Sequence, residues 1–213
     1  MTNTKALTDF FTICEKLECE YRLTKMSDGN YQAVASHSWN MAMMAIALRP
    51  YLKNNIDMER VLKLCILHDL PEAIAHDVPL HEQTTTNKQA KQKHEKDAIN
   101  TIINLLHDKS IDNLFNEYEL RQSPESNFVK LLDILDTTIQ HMCAKDLSYV
   151  GTYNDNFYWK LFFSDEFANR FNYEPKLRSV YNEIKHRVTA RLKNELGIDA
   201  KKFTGTITKD ENI

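Results

Sequence analysis

Apolar residues along this chain recur every three to four positions, which is the spacing of one helical face. Leu7, Phe10, Phe11, Cys14 and Leu17 do so between Thr2 and Glu20. His37, Met41, Met44 and Leu48 form one stripe of a helix predicted from Ser36 to about Tyr51, with Pro50 in its end region. Asp57 is placed to cap the next helix, Met58 to about Asp69. Its middle, Val61 to Leu67, is apolar almost all round, which predicts burial on every side. Pro71 ends this helix and can open a short one, Pro71 to Ala75. Asp77 to Thr86 reads as loop. Asn87 to His107 reads as a long charged helix with Ala98, Ile102 and Leu105 inward, and with Lys88, Lys91, Lys93 and Lys96 on a solvated face. Ile111–Leu120 is a further short helix. Ser123-Pro124-Glu125 supplies a cap, a first-turn proline and an acid, and opens a helix to about Lys145. Phe128, Leu131, Leu132, Leu135, Ile139 and Met142 are its expected core stripe. Two more helices are predicted near Asp155–Phe171 and Lys176–Leu196, and Met26–Asn30 (MSDGN) reads as a turn around Gly29.

Composition sharpens this picture. The chain has 213 residues, enough for one domain that buries about 70 % of its unfolded surface without a disulfide. It has only 4 glycines and 5 prolines. A typical glycine share is about 7 %, and many-stranded folds need glycine and proline for their tight turns. An all-α fold follows, with residues 1–196 as the domain and 197–213 as a polar, flexible tail. Twenty-seven Lys and Arg against 30 Asp and Glu give a net charge of −3, which excludes a dedicated basic clamp for nucleic acid. No apolar run reaches a membrane span. The segment Met1–Phe11 lacks the apolar core of a signal peptide, and the four cysteines form no C-x-x-C pair. Reduced thiols and a cytoplasmic location are expected.

The candidate chemistry lies where polar residues interrupt apolar faces. Three His-Asp pairs occur, at 68–69, 76–77 and 107–108. The pair at 107–108 is an ordinary helix end. His68-Asp69 differs because it follows VLKLCIL, and buried polar groups must be paired or bind a metal. His37 begins the stripe that continues through Met41 and Met44. Asp133 and Asp136 interrupt LLDILD, Glu72 lies one turn beyond His68, and Asp77 five residues further on. His, His-Asp and Asp from three helices make a two-His, two-Asp mononuclear site. On a helical wheel Asp136 is about 80° from the centre of its stripe and Asp133 about 140°. Periodicity alone therefore favours Asp136.

The order His, His-Asp, Asp resembles that of the HD-domain metal-dependent phosphohydrolases, and more closely their 5'-deoxynucleotidase-like branch. The resembling segments are YRL (21–23), VASHSWNMAMMA (34–45), VLKLCILHDLPEAIAHDVP (61–79) and SPESNFVKLLD (123–133). The resemblance implies a single HD-domain helical bundle. It implies His37, His68, Asp69 and Asp133 as ligands of a divalent transition metal (Mn, Co, Fe, Ni or Zn); the Lys-x-x-Asp pattern, Lys130 to Asp133, selects Asp133. Glu72 and Asp77 would be catalytic, and Asp77 also substrate-binding. Arg22 would bind the substrate phosphate. The implied activity is hydrolysis of (deoxy)nucleoside 5'-monophosphates by a homodimeric enzyme, with a dNTP triphosphohydrolase or a catalytically weak nucleotide- or metal-binding protein as alternatives. The chain departs from the family in having Leu23 where a Trp often follows the arginine, and in having His76 and Leu80 where Gly and Thr are usual.

Overall fold

The computed structural model describes residues 3–77, 85–148 and 157–203. Ten helices and one two-stranded sheet occur among them: α1 (Thr4–Cys19), β1 (Tyr21–Lys25), β2 (Tyr31–Ala33), α2 (Val34–Leu48), α3 (Met58–Leu67), α4 (Glu72–Ala75), α5 (Thr85–Leu106), α6 (Ser110–Leu120), α7 (Pro124–Cys143), α8 (Phe157–Phe163), α9 (Asp165–Arg170) and α10 (Pro175–Leu196). The all-α expectation holds for the architecture. The hairpin β1–β2 is an addition to it, closed by the MSDGN turn, where Gly29 takes a positive φ of 92° that few other residues tolerate. The chain forms two compact units. The first comprises Met1–Leu23, Gln32–Pro50 and Asn55–Asp133; the second comprises Thr24–Tyr31, Tyr51–Asn54 and Ile134–Ile213.

In the first unit the caps set the helix starts. The Asn3 side chain accepts from the Ala6 N–H at 2.7 Å, and Asp57 accepts from the N–H groups of Glu59 and Arg60. Helix α2 buries Val34, His37, Ser38, Met41, Ala45 and Leu48. Helix α3 packs on α2 and α6 and buries Val61, Leu64 and Cys65, while Ile66 is exposed. The expectation of burial all round α3 is therefore corrected: one face is inward and the opposite face meets solvent. The core joins Leu17, Val34, Leu70, Ala73, Ile99, Ile102, Leu106, Ile111 and Phe115.

The second unit is built on aromatic packing. Phe162, Phe167 and Phe171 lie 4.6–5.8 Å, centroid to centroid, from Tyr181 of α10. The Tyr181 hydroxyl donates to the Phe162 carbonyl at 2.5 Å. The helix expected over Asp155–Phe171 is broken at Ser164, whose side chain accepts from the Phe167 N–H and caps α9. Residues 197–203 are not a loose tail. Ala200–Phe203 form a 3₁₀ turn with Ala200 and Phe203 buried, and the Phe203 ring stacks on Phe163. The rest of the expected tail, 204–213, and most of the expected loop, 78–84, lie outside the described residues.

Candidate metal centre

His37 is the fourth residue of α2 and sits on its buried face. His68 follows α3 directly; four residues after Leu64, it continues the buried face of that helix. Its Nδ1 lies 3.0 Å from the Cys65 carbonyl, which can only accept. In the neutral ring Nδ1 therefore carries the proton and Nε2 presents a lone pair. That Nε2 is buried and makes no hydrogen bond of ordinary geometry. It lies 3.1 Å from Asp69 Oδ2, which is also 3.7 Å from His37 Nε2. Asp133 Oδ1 lies 3.3 Å from His37 Nε2. One ligand atom each from His37, His68 and Asp69 falls within a 4.8 Å set. The His68 lone pair and the Asp69 oxygen that faces it at 3.1 Å repel unless a cation lies between them or the ring takes a second proton. Two imidazole nitrogens with carboxylate oxygens suit a divalent transition ion, so the residues fit a metal.

Arg22, the second residue of β1, brings a guanidinium against the same carboxylates. Its Nη1 donates to Asp69 Oδ2 at 3.1 Å, and Nη2 is 3.8 Å from Asp133 Oδ1. Burial alone would raise the pKa of Asp69, but the charges of His68, Arg22 and His37 outweigh it and hold that carboxyl below its usual range. Asp133 behaves likewise. Burial opposes its ionisation, and Lys130, His37 and His68 hold it well below the usual carboxylate range. Lys130 Nζ donates to Asp133 Oδ2 at 2.8 Å and the Tyr118 hydroxyl donates to the same oxygen at 3.0 Å. Asp136, which the helical wheel favours, is fully buried, and its Oδ1 accepts from Gln140 at 3.4 Å.

Glu72 begins α4, where the chain makes tight turns through Leu67, Asp69 and Pro71. Its carboxyl is buried. Oε1 lies 3.3 Å from Lys91 Nζ, and Oε2 has no hydrogen-bond partner. Burial, with the nearby carboxylates of Asp69 and Asp77, raises it well above the ordinary glutamate range, against the pull of Lys91 and Arg22. Asp77 is also raised, by burial first and then by Asp69 and Glu20, although Arg22 and Lys91 oppose the shift. Lys91 corrects the sequence reading: it is not on the solvated face of α5 but turns inward to Glu72 and, at 3.4 Å, to Glu95. Lys93 and Lys96 are exposed as expected. Sequence reasoning also missed Tyr118. Its signal was a hydroxyl on the inward stripe Ile111, Phe115, Tyr118.

A helical fold that gathers a His and an Asp from two helices and a His-Asp pair from the end of a third around one point is the arrangement of an HD domain. The HD domain family model matches residues 14–171, and the chain belongs to that family. It is 38 % identical over 112 residues to the zebrafish (Danio rerio) protein named 5'-deoxynucleotidase HDDC2, an alignment covering 51 % of this chain and 54 % of that one. The chain thus spans about half the length of that relative. It is 28 % identical over 156 residues to the human protein of the same name, covering 72 % of this chain and 71 % of the other. Among solved structures, a predicted metal-dependent phosphohydrolase from Magnetospirillum magnetotacticum MS-1 superimposes with a TM-score of 0.71 at 23 % identity, over 89 % of this chain and 94 % of that one. That likeness bears on the fold.

Proposed function

We propose that this chain is a metal-dependent phosphohydrolase that converts (deoxy)nucleoside 5'-monophosphates to nucleoside and inorganic phosphate. The observation that carries this reading is the convergence of His37, His68, Asp69 and Asp133 beside the half-buried guanidinium of Arg22 and the buried carboxyl of Glu72, whose Oε2 has no hydrogen-bond partner. The names of the relatives support the substrate class. In this reading those four side chains hold one Mn, Co, Fe, Ni or Zn ion. When bound, such an ion supplies an acidified water and offsets charge on the phosphoryl group.

The chain's own residues carry the remaining chemistry. Arg22 offers a planar fork to the phosphate oxygens. Glu72 Oε2, buried and without a hydrogen-bond partner, takes a proton from the attacking water as the water oxygen bonds to phosphorus. The bond between phosphorus and the 5'-oxygen breaks. Asp77, beside Glu72 and Arg22, protonates that leaving oxygen or contacts the sugar. Tyr118 and Lys130 fix Asp133 Oδ2 and leave Oδ1 turned towards His37.

The finer setting is proposed on separate grounds. Trp39, Met43 and Ile46 lie three and four residues apart on α2 and are all exposed. An apolar stripe of this kind suits a second copy of the chain, so we infer a homodimer. Four free cysteines fit a reducing cytoplasm, and no helix among the described residues is long and apolar enough to cross a membrane. The test of function is to incubate the purified protein with a nucleotide panel and each divalent metal. Released phosphate from monophosphates is expected; triphosphate released from dNTPs would favour a triphosphohydrolase, and no product with any nucleotide would favour a binding protein. Glu72→Gln should lower turnover by about 100- to 10,000-fold with the metal retained. Near-normal turnover in that variant would remove Glu72 from the mechanism.

A further inference from the structure

The second His-Asp pair, His76-Asp77, is tied to the start of β1 by one carboxylate. Glu20 follows α1 directly and stands two residues before Arg22. Its own N–H donates to the Lys16 carbonyl at 2.9 Å, and its carbonyl accepts from the Val34 N–H at 2.9 Å, so its backbone is held on both sides. Its side chain reaches a turn 56 residues away. Oε2 lies 2.9 Å from His76 Nδ1, and Oε1 accepts the Asp77 N–H at 3.1 Å. The carboxylate is only 20 % exposed, whereas the His76 ring is largely in solvent.

His76 needs such a tie. Its φ is 66° and its ψ 153°, a backbone region that is essentially glycine's. A residue with a β-carbon stays there only when its surroundings over-determine it. Freed of Glu20, His76 would relax to an ordinary negative φ and carry Asp77 with it. Arg22 and Asp77 belong to segments that Glu20 joins, one through the chain and one through its side chain.

We propose that Glu20 is a positioning residue: its carboxylate holds the His76–Asp77 turn in a glycine-like conformation and so sets Asp77 in register with Arg22 for substrate binding. The inference rests on the reading of Arg22 and Asp77 as substrate groups. Glu20→Ala should raise KM for dAMP at least about tenfold, change kcat less, and leave metal content at the wild-type level. Glu20→Gln, which keeps an acceptor for the Asp77 amide and a polar partner for His76, should restore most of the affinity. A second readout does not need activity. The Asp77 amide should exchange with solvent faster in Glu20→Ala than in wild type, as measured by NMR. An unchanged KM in Glu20→Ala, or an Asp77 amide as protected as in wild type, would overturn the proposal. If the wild-type protein hydrolyses no monophosphate, the functional reading fails, while amide exchange still decides whether Glu20 holds the turn.

Discussion

Lys91 Nζ lies 3.3 Å from Glu72 Oε1, and both side chains are largely withdrawn from water, at 18 % and 3 % exposure. The ammonium is charged: burial opposes this, but Glu72 and Glu95 raise its pKa. A charge-assisted bond of this kind contributes about 1.5–3 kcal/mol. If that bond orients Glu72 in the transition state, its loss lowers kcat by about 10- to 100-fold, at 1.4 kcal/mol per tenfold. Lys91→Met should show this loss with full metal content, and Lys91→Arg should show less. Steady-state kinetics together with elemental analysis checks it; unchanged kcat in Lys91→Met would leave Lys91 a structural ion pair.

The metal centre makes a compositional prediction. Purified protein should carry about one transition-metal ion per chain, as a two-His, two-Asp set implies. His68→Ala or Asp69→Ala should abolish it, because each removes an atom from the 4.8 Å donor set. Asp133→Ala should lose more metal than Asp136→Ala, since Asp133 Oδ1 faces His37 whereas Asp136 accepts from Gln140 in the helix interior. Elemental analysis of the four variants decides it, and metal content unchanged in both His68→Ala and Asp69→Ala would remove the site.

Most helices were legible because their signals are local. Asp57 caps α3, and Ser123 directly precedes α7, whose first two residues are Pro124 and Glu125. The strands Tyr21–Lys25 and Tyr31–Ala33 were not, because five and three residues are too few to establish a period of two. Within the candidate site, His37 and His68 were legible as polar residues on buried faces. Lys91 was not: it stands among Lys88, Lys93 and Lys96, and only the packing of α4 on α5 decides which lysine turns inward. Asp133 shows the limit of periodicity. A helical wheel ranks positions by distance from the core stripe, and a site at the edge of a core uses a flank of the helix instead. Glu20 was invisible for another reason, since its partners lie 56 and 57 residues away.

His141 gives a pH prediction. It is buried and packs edge-on against the rings of Tyr158 and Trp159. Burial lowers its pKa from 6.5 to about 3. The unfolded chain takes up a proton below about pH 6.5, and the folded chain does not until about pH 3. Stability from the neutral ring is therefore complete above 6.5 and is lost as pH falls, by about 1.4 kcal/mol per unit across that window. His141→Phe keeps the aromatic packing and removes the proton. Urea unfolding at successive pH values should show wild type losing more stability than the variant below 6.5. Parallel losses in the two proteins would show that His141 is not the titrating group.

The last prediction concerns the sugar. Rejecting an added hydroxyl requires either a wall in its place or a pocket that leaves it unpaired. Leu23 follows Arg22 directly, at the position where the resemblance to the 5'-deoxynucleotidase-like branch implies a Trp. Leucine is smaller and flexible and cannot fill the volume of an indole. Two other side chains large enough for such a wall, Tyr21 in the same strand and Trp39 on α2, are both exposed, at 57 % and 65 %. An apolar pocket rejects an isostere bearing one extra hydroxyl only about 100-fold, and a loosely filled one rejects it less. The ratio of kcat/KM for dAMP over AMP should therefore fall below about 100, and Leu23→Trp should raise it. A strong preference for dAMP in the wild-type protein, unchanged by Leu23→Trp, would show that another residue forms the wall.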